Sequence, residues 1–207
     1  MAMSDLEIAN RLETALGAIG AFFMGDSPVQ QAAAEIARRL EDGGIDHAIA
    51  GAICLAAHGV TRATEDVDVL ITREGLEQFK HAWLGRGYVN LRPGGKAVRD
   101  TANGVKIDFL LTGDFPGDGR PKPVAFPHPA AAGIPAGRFR VVDLPRLIEL
   151  KLASGMTAPH RLQDLADVLR LIHVLRLPGT FGEGLDAYVR EKFDELWRSA
   201  QHPEDDY

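Results

Sequence analysis

The sequence predicts an α+β domain, with a mixed central sheet flanked by helices and a helical C-terminal third. Three observations lead there. Short β-branched, apolar runs suited to strands are interleaved with helical patterns as far as residue 142. The turn Asn103-Gly104 marks a hairpin inside the sheet, which breaks the regular alternation of a parallel doubly wound fold. Beyond Val142 the apolar residues follow helical spacing only.

Each element has a local cause. Residues 5 to 23 carry Leu6, Ile8, Leu12, Leu16, Ile19 and Phe22 at roughly helical spacing behind Ser4, and Gly25-Asp26-Ser27-Pro28 ends that pattern. A helix from Pro28 to about Leu40 stops at Gly43-Gly44. Residues 45 to 50 read as a short buried strand, and Gly51 turns the chain into a helix through about His58. Asp66 to Thr72 is a strand, and residues 74 to 84 a helix closed by Gly85-Arg86-Gly87. Strands are expected over residues 88–91, 97–101 and 105–111. Residues 112 to 137 are rich in Gly and Pro without periodicity, so they read as a surface loop with functional potential. Phe139 to Val142 is a last strand. Asp143 caps a helix to about Ala153, a second starts at Pro159 or His160, and a third spans roughly Gly182 to Ser199. The implied organisation is an N-terminal helical extension over 1–26, a core over 27–142 and a C-terminal helical region over 143–207 packed on that core.

Bulk properties narrow the function. The chain has 207 residues, 45% of them hydrophobic, enough for one full core. Its net charge of −6 disfavours a protein that grips long nucleic acid by the backbone and favours a small nucleotide or a protein substrate. One cysteine, Cys54, excludes an internal disulfide and suits a reducing compartment as a small core residue. No run reaches the ~18 apolar residues of a membrane span. The first residues lack the basic and apolar regions of a secretory signal, so a cytoplasmic protein is expected, without membrane partners.

The most informative segment is Gly51-Ala52 followed, after thirteen residues, by Asp66-Val67-Asp68-Val69-Leu70-Ile71. Side chains alternate along a strand, so Asp66 and Asp68 share one face while Val67, Val69 and Ile71 share the other. Two adjacent like charges are unfavourable without a cation between them, and hard oxygen ligands suit Mg²⁺. Lys106-Ile107-Asp108-Phe109-Leu110-Leu111 supplies a third acid, with Ile107, Phe109 and Leu111 on the apolar face. Should the two strands be neighbours, Asp66, Asp68 and Asp108 converge on divalent ions able to clamp an in-line phosphoryl displacement. The plain alternative has Asp66 and Asp68 facing solvent and Asp108 pairing with a lysine. The seven histidines show no metal-ligand spacing, so no zinc site is expected.

Ile49-Ala50-Gly51-Ala52 leading to Arg62-Ala63-Thr64-Glu65-Asp66-Val67-Asp68-Val69-Leu70 resembles the nucleotidyltransferase superfamily, of polymerase-β-like fold. It looks especially like the branch of AbiE-type abortive-infection toxins and related uncharacterised nucleotidyltransferases. Residues 142–153 and 161–168 resemble that branch's lysine helix and its Arg-x-Lys/Arg-Asp-x-x-Asp helix. The resemblance implies Mg²⁺ held by Asp66, Asp68 and Asp108, with Asp108 assisting as base. It implies an NTP such as ATP gripped through Gly51, Ala52 and Lys151, with Asp164 pairing to Lys151. It implies transfer of a nucleoside monophosphate to an acceptor hydroxyl on an RNA end or a protein, with an antitoxin as partner, or to a small molecule. Ala52 departs from the family's glycine or serine, leaving only backbone N–H groups for a phosphate. That departure motivates a rival reading, a nucleotide- or partner-binding module with catalysis lost.

Neighbouring residues have competing readings. Arg62 and Thr64 precede the acids and could meet phosphate; Arg62 could equally be an exposed loop charge. Lys151 lies among Ile148, Leu150 and Leu152 and could run its stem along the core. Asp167 is read as a capping or solvent residue, and His58 as a donor to the last carbonyls of its own helix. The acceptor is expected to be selected by the N-terminal helix and the 112–137 loop.

Overall fold

A computed structural model describes residues 27–201. The helix expected over residues 5 to 23, and with it the N-terminal extension, lies outside them.

The chain opens with α1 (Pro28–Asp42), where Ser27 accepts a hydrogen bond from the Gln30 backbone N–H at 3.3 Å and Pro28 starts the first turn. Its Ala32, Ala33, Ile36, Ala37 and Leu40 are buried. Then come β1 (His47–Ile49), α2 (Gly51–Ala57), β2 (Asp66–Ile71) and α3 (Arg73–Trp83). A meander of β3 (Tyr88–Asn90), β4 (Ala97–Asp100) and β5 (Lys106–Leu111) follows. After a long connection the chain forms a short α4 (Pro129–Ala132), β6 (Gly133–Ala136) and β7 (Phe139–Val142). The C-terminal third holds α5 (Leu144–Thr157), α6 (Leu162–Leu175) and α7 (Ala187–Ala200), with 3₁₀ turns at Pro159–Arg161 and Gly179–Gly184.

The seven strands form one mixed sheet in the order β3-β4-β5-β2-β1-β7-β6. β2 and β5 pair in parallel, as do β1 and β7, and the remaining pairs are antiparallel. The parallel β2–β5 pair needs a crossover, supplied by α3 and the β3–β4 hairpin. What holds β5 beside β2 is apolar: Val67, Val69 and Ile71 stand opposite Ile107, Phe109 and Leu111, and all six are buried. One continuous core runs from these strands through α1 and α5 to Phe193 on α7. The expected α+β architecture, with its mixed sheet and helical last third, is what the chain adopts.

Three local differences have physical reasons. Residues 129–136, read as loop, contain a helical turn and an edge strand. Pro135 in β6 is tolerated because the strand pairs on one side only, and its mostly exposed side chains leave no alternating pattern to read. α5 runs past Ala153 to Thr157. Gly155 does not stop it, because α6 needs that bare surface: a Cβ there would lie 2.5 Å from Leu165 Cγ. The last helix begins at Ala187, where Asp186 accepts from the Tyr188 N–H at 2.8 Å, while Gly182 belongs to the preceding 3₁₀ turn.

Candidate active site

The site is built around the corner between β1 and α2. The Ala50 N–H donates to the Asp68 carbonyl at 2.8 Å, tying the corner to the middle of the acid strand. Gly51 then adopts a left-handed φ of +60°, and the space its side chain would need is taken: a Cβ would lie 1.9 Å from Asp68 Oδ2. Glycine is required here twice, for its backbone and for the carboxylate that leans over it.

The register of β2 on β5 sets Asp66 beside Lys106 and Asp68 beside Asp108. All three acids therefore share one face of the sheet, as the strand pattern predicts. Their surroundings differ. Thr64 Oγ1 donates to Asp66, 3.0 Å from Oδ1, so Thr64 holds an acid rather than facing the cleft. Lys106 Nζ lies 2.5 Å from Asp108 Oδ2, so the pairing of Asp108 with a lysine is also realised. Asp68 has no side-chain hydrogen bond or ion pair among the described residues. Burial above all, then the charges of Asp66 and Asp108, push its carboxyl up to about 6; Lys151 and Arg161 pull the other way.

Asp68 lines a cleft that opens to solvent. Arg62, Lys151, Ser154, Arg161 and Asp164 form its polar side, and Gly51 its corner. Lys151 is buried and donates to Asp164 Oδ1 at 2.9 Å and to Asp167 Oδ2 at 2.7 Å. Ser154 Oγ donates to Asp164 Oδ2 at 2.7 Å. The expected Lys151–Asp164 pair is thus present, and Lys151 sends its charge to partners rather than only laying its stem along the core.

Three expectations are corrected. Asp167 is neither cap nor solvent residue: it is 0% exposed and also receives Arg62 Nε at 3.3 Å and Gln163 Nε2 at 3.0 Å. Its sequence position, three residues past Asp164, could not reveal that α5 and the loop before β2 both reach it. Arg62 is accordingly no free loop charge. His58 donates through Nε2 to the Val142 carbonyl of β7 at 2.8 Å, beside the Cys54 thiol at 3.2 Å, and not to its own helix. Cys54 is a core residue, as expected.

Ala52 is buried and does not line the cleft; with Thr64 and Arg62 it lines an adjacent recess, and Arg62 lines both. The sequence reading assigned no site role to several cleft residues, Arg161, Ser154 and Phe126 among them. Arg161 lines the cleft without a side-chain partner among the described residues. Its signal was available, since it opens the Arg-x-x-Asp-x-x-Asp pattern. Phe126, from the 112–137 segment, had none.

The donor chemistry of the acids suits a hard divalent cation, and the crowding of negative charge around Asp68 suits any cation. No three His, Cys, Asp or Glu side chains among the described residues are grouped as a ready-made metal cage. Mg²⁺ commonly binds through one or two carboxylates, with phosphate oxygens and water completing its shell. Asp66 and Asp68, on one face of β2 with Asp108 in register on β5, are carboxylates of the kind such an ion takes.

No protein-family model matches the chain, and no curated protein matches it. Among solved structures, that of the antibiotic-resistance factor ANT(2'')-Ia is similar over 95% of this chain and 94% of that one, at 15% identity and a TM-score of 0.43. No helix among the described residues is long and apolar enough to cross a membrane.

Proposed function

We propose that this chain is a nucleotidyltransferase, moving a nucleoside monophosphate from an NTP to an acceptor hydroxyl with release of pyrophosphate. One observation carries the reading: Asp68 leans over the Gly51 corner, in register with Asp108, and, without an ion-pair partner among the described residues, lines a cleft that Arg161 and Arg62 also line.

Asp66 and Asp68 would hold Mg²⁺, which when bound offsets the charge of the acids and of the nucleotide phosphates. Thr64 fixes the rotamer of Asp66. Arg161 and Arg62 draw the phosphates in, and Lys151, oriented by Asp164 and Asp167, adds positive potential to the wall. The acceptor oxygen attacks the α-phosphorus as the bond to pyrophosphate breaks, and Asp108 takes the hydroxyl proton. The acceptor class rests on the sequence resemblance: an RNA end or a protein in a toxin-like role with an antitoxin, the alternative being a small molecule.

A second reading has its own observation. Lys106 already occupies Asp108, and no three-ligand cage is found among the described residues, which favours a module that binds nucleotide without turnover. Incubation with each α-labelled NTP, Mg²⁺ and cell extract separates the two. Label transfer that disappears with EDTA, with Asp66→Asn and with Asp68→Asn supports the enzyme. Nucleotide binding without transfer, indifferent to Asp108→Asn, supports the module.

A further inference from the structure

The lining of the cleft is of two chemical kinds, charged and apolar, and only the charged kind is used by the reading above. Besides the charged residues, Leu110, Pro116, Phe126, Leu147 and Leu150 line it, from β5, the 112–127 connection and α5. We propose that this apolar wall, with the Phe126 ring as its aromatic member, is the seat of the nucleobase, while the phosphates lie toward Arg161 and the Gly51 corner. The assignment rests on the nucleotide reading and deepens it.

The wall is built in place. Phe126 is pinned to the end of β5 by two backbone hydrogen bonds, its N–H to the Asp114 carbonyl at 2.8 Å and its carbonyl from the Gly113 N–H at 2.9 Å. Thr112 Oγ1 donates to the Pro127 carbonyl at 3.1 Å, holding the next residue as well. The outer part of the connection folds onto itself through Lys122, whose Nζ donates to the Pro116 carbonyl and to Asp118 Oδ1, both at 2.7 Å. It docks on α5 at Gly117, with φ +73°, where a Cβ would lie 2.2 Å from Thr157 Oγ1 and 2.8 Å from the Ser154 carbonyl. That approach brings Pro116 and Gly117 to the cleft edge. A segment with no periodicity thus becomes a fixed surface facing the cleft.

The chemistry of the wall selects the moiety. A triphosphate gains nothing from leucine, proline and phenylalanine, whereas a planar, weakly hydrated base stacks on an aromatic face and buries apolar area. Such stacking tolerates different bases because each has a π face. The wall therefore predicts affinity for the base with little choice among bases.

Calorimetric titration of the full chain with ATP and with inorganic tripolyphosphate, both with Mg²⁺, tests this. Phe126→Leu keeps apolar bulk and removes the aromatic face; Phe126→Tyr keeps the face. Phe126→Leu is expected to weaken ATP roughly tenfold with tripolyphosphate unchanged, and Phe126→Tyr to bind both as the wild type does. A thermal melt of each variant confirms that it is folded, and Leu147→Ala repeats the comparison from the α5 side. Equal loss for both ligands, or no loss for either, in the folded variants overturns the wall assignment while leaving the nucleotide reading standing. A wild-type chain that binds neither ligand overturns the nucleotide reading and the assignment with it.

Discussion

Behind the cleft, Asp167 is sealed from solvent and receives Lys151, Arg62 and Gln163; on the sheet, Asp68 has two carboxylates beside it and no side-chain donor. The first cluster joins α5, α6 and the loop before β2 with its hydrogen bonds satisfied internally. The second leaves Asp68 without an ion pair of its own among the described residues, with Lys106 engaged by Asp108. A buried polar group is retained when satisfied, so the first arrangement belongs to the fold. A partly buried carboxylate without an ion pair, facing a cleft, is costly unless a ligand completes it, so the second is where the proposed function would lie.

The comparison breaks most visibly at Asp167. Asp167→Ala leaves Lys151 and Arg62 without their shared partner and should cost about 3–5 kcal/mol in urea denaturation. A loss below about 1 kcal/mol would mean the two cations find other partners and the satisfied cluster is no anchor. Gly51→Ala comes next. It forces a left-handed alanine and a contact with Asp68, about 2–4 kcal/mol together. Adding Asp68→Ala removes the contact and should recover all but the backbone part, so a double-mutant cycle measures how the corner and the acid are coupled.

Asp68→Asn has the opposite sign for stability. Removing one of three neighbouring charges should stabilise the metal-free protein by on the order of 1 kcal/mol at pH 8, while label transfer falls to background. Destabilisation instead would show that Asp68 has a partner that the geometry hides. The smallest effect lies outside both clusters, at His58. Burial, partly offset by the Val142 carbonyl and Asp143, holds its pKa below the ordinary 6.5. A depressed histidine contributes stability that is present above about pH 6.5 and lost as pH falls toward the folded value. Melting temperatures from pH 7.5 to 5 should therefore drop less in His58→Gln than in the wild type. Identical slopes would leave the acid limb to the carboxylates alone.

Much of the site was legible because its parts are local. The alternation Asp66-Val67-Asp68 assigns faces within one strand, and Asp108 among Ile107, Phe109 and Leu111 does the same. A glycine before a short helix and a lysine amid leucines carry signals of that local kind. Asp167 and Phe126 were harder. Asp167 acquires its role from Arg62, which lies 105 positions away along the chain. Phe126 acquires its role from a connection held by carbonyl contacts that residue identity does not encode.

The amino-acid sequence alone determined the strands and helices that carry a clear side-chain period, and which acids can share a face, because these follow from that period and from backbone preference. Tertiary packing decided the rest. It set β5 beside β2 in the register that aligns Asp108 with Asp68, gave Lys151 its two carboxylates, and folded a patternless segment into a cleft wall. Apolar burial chooses which elements adjoin, and only adjacency turns separate charges into a network or a site.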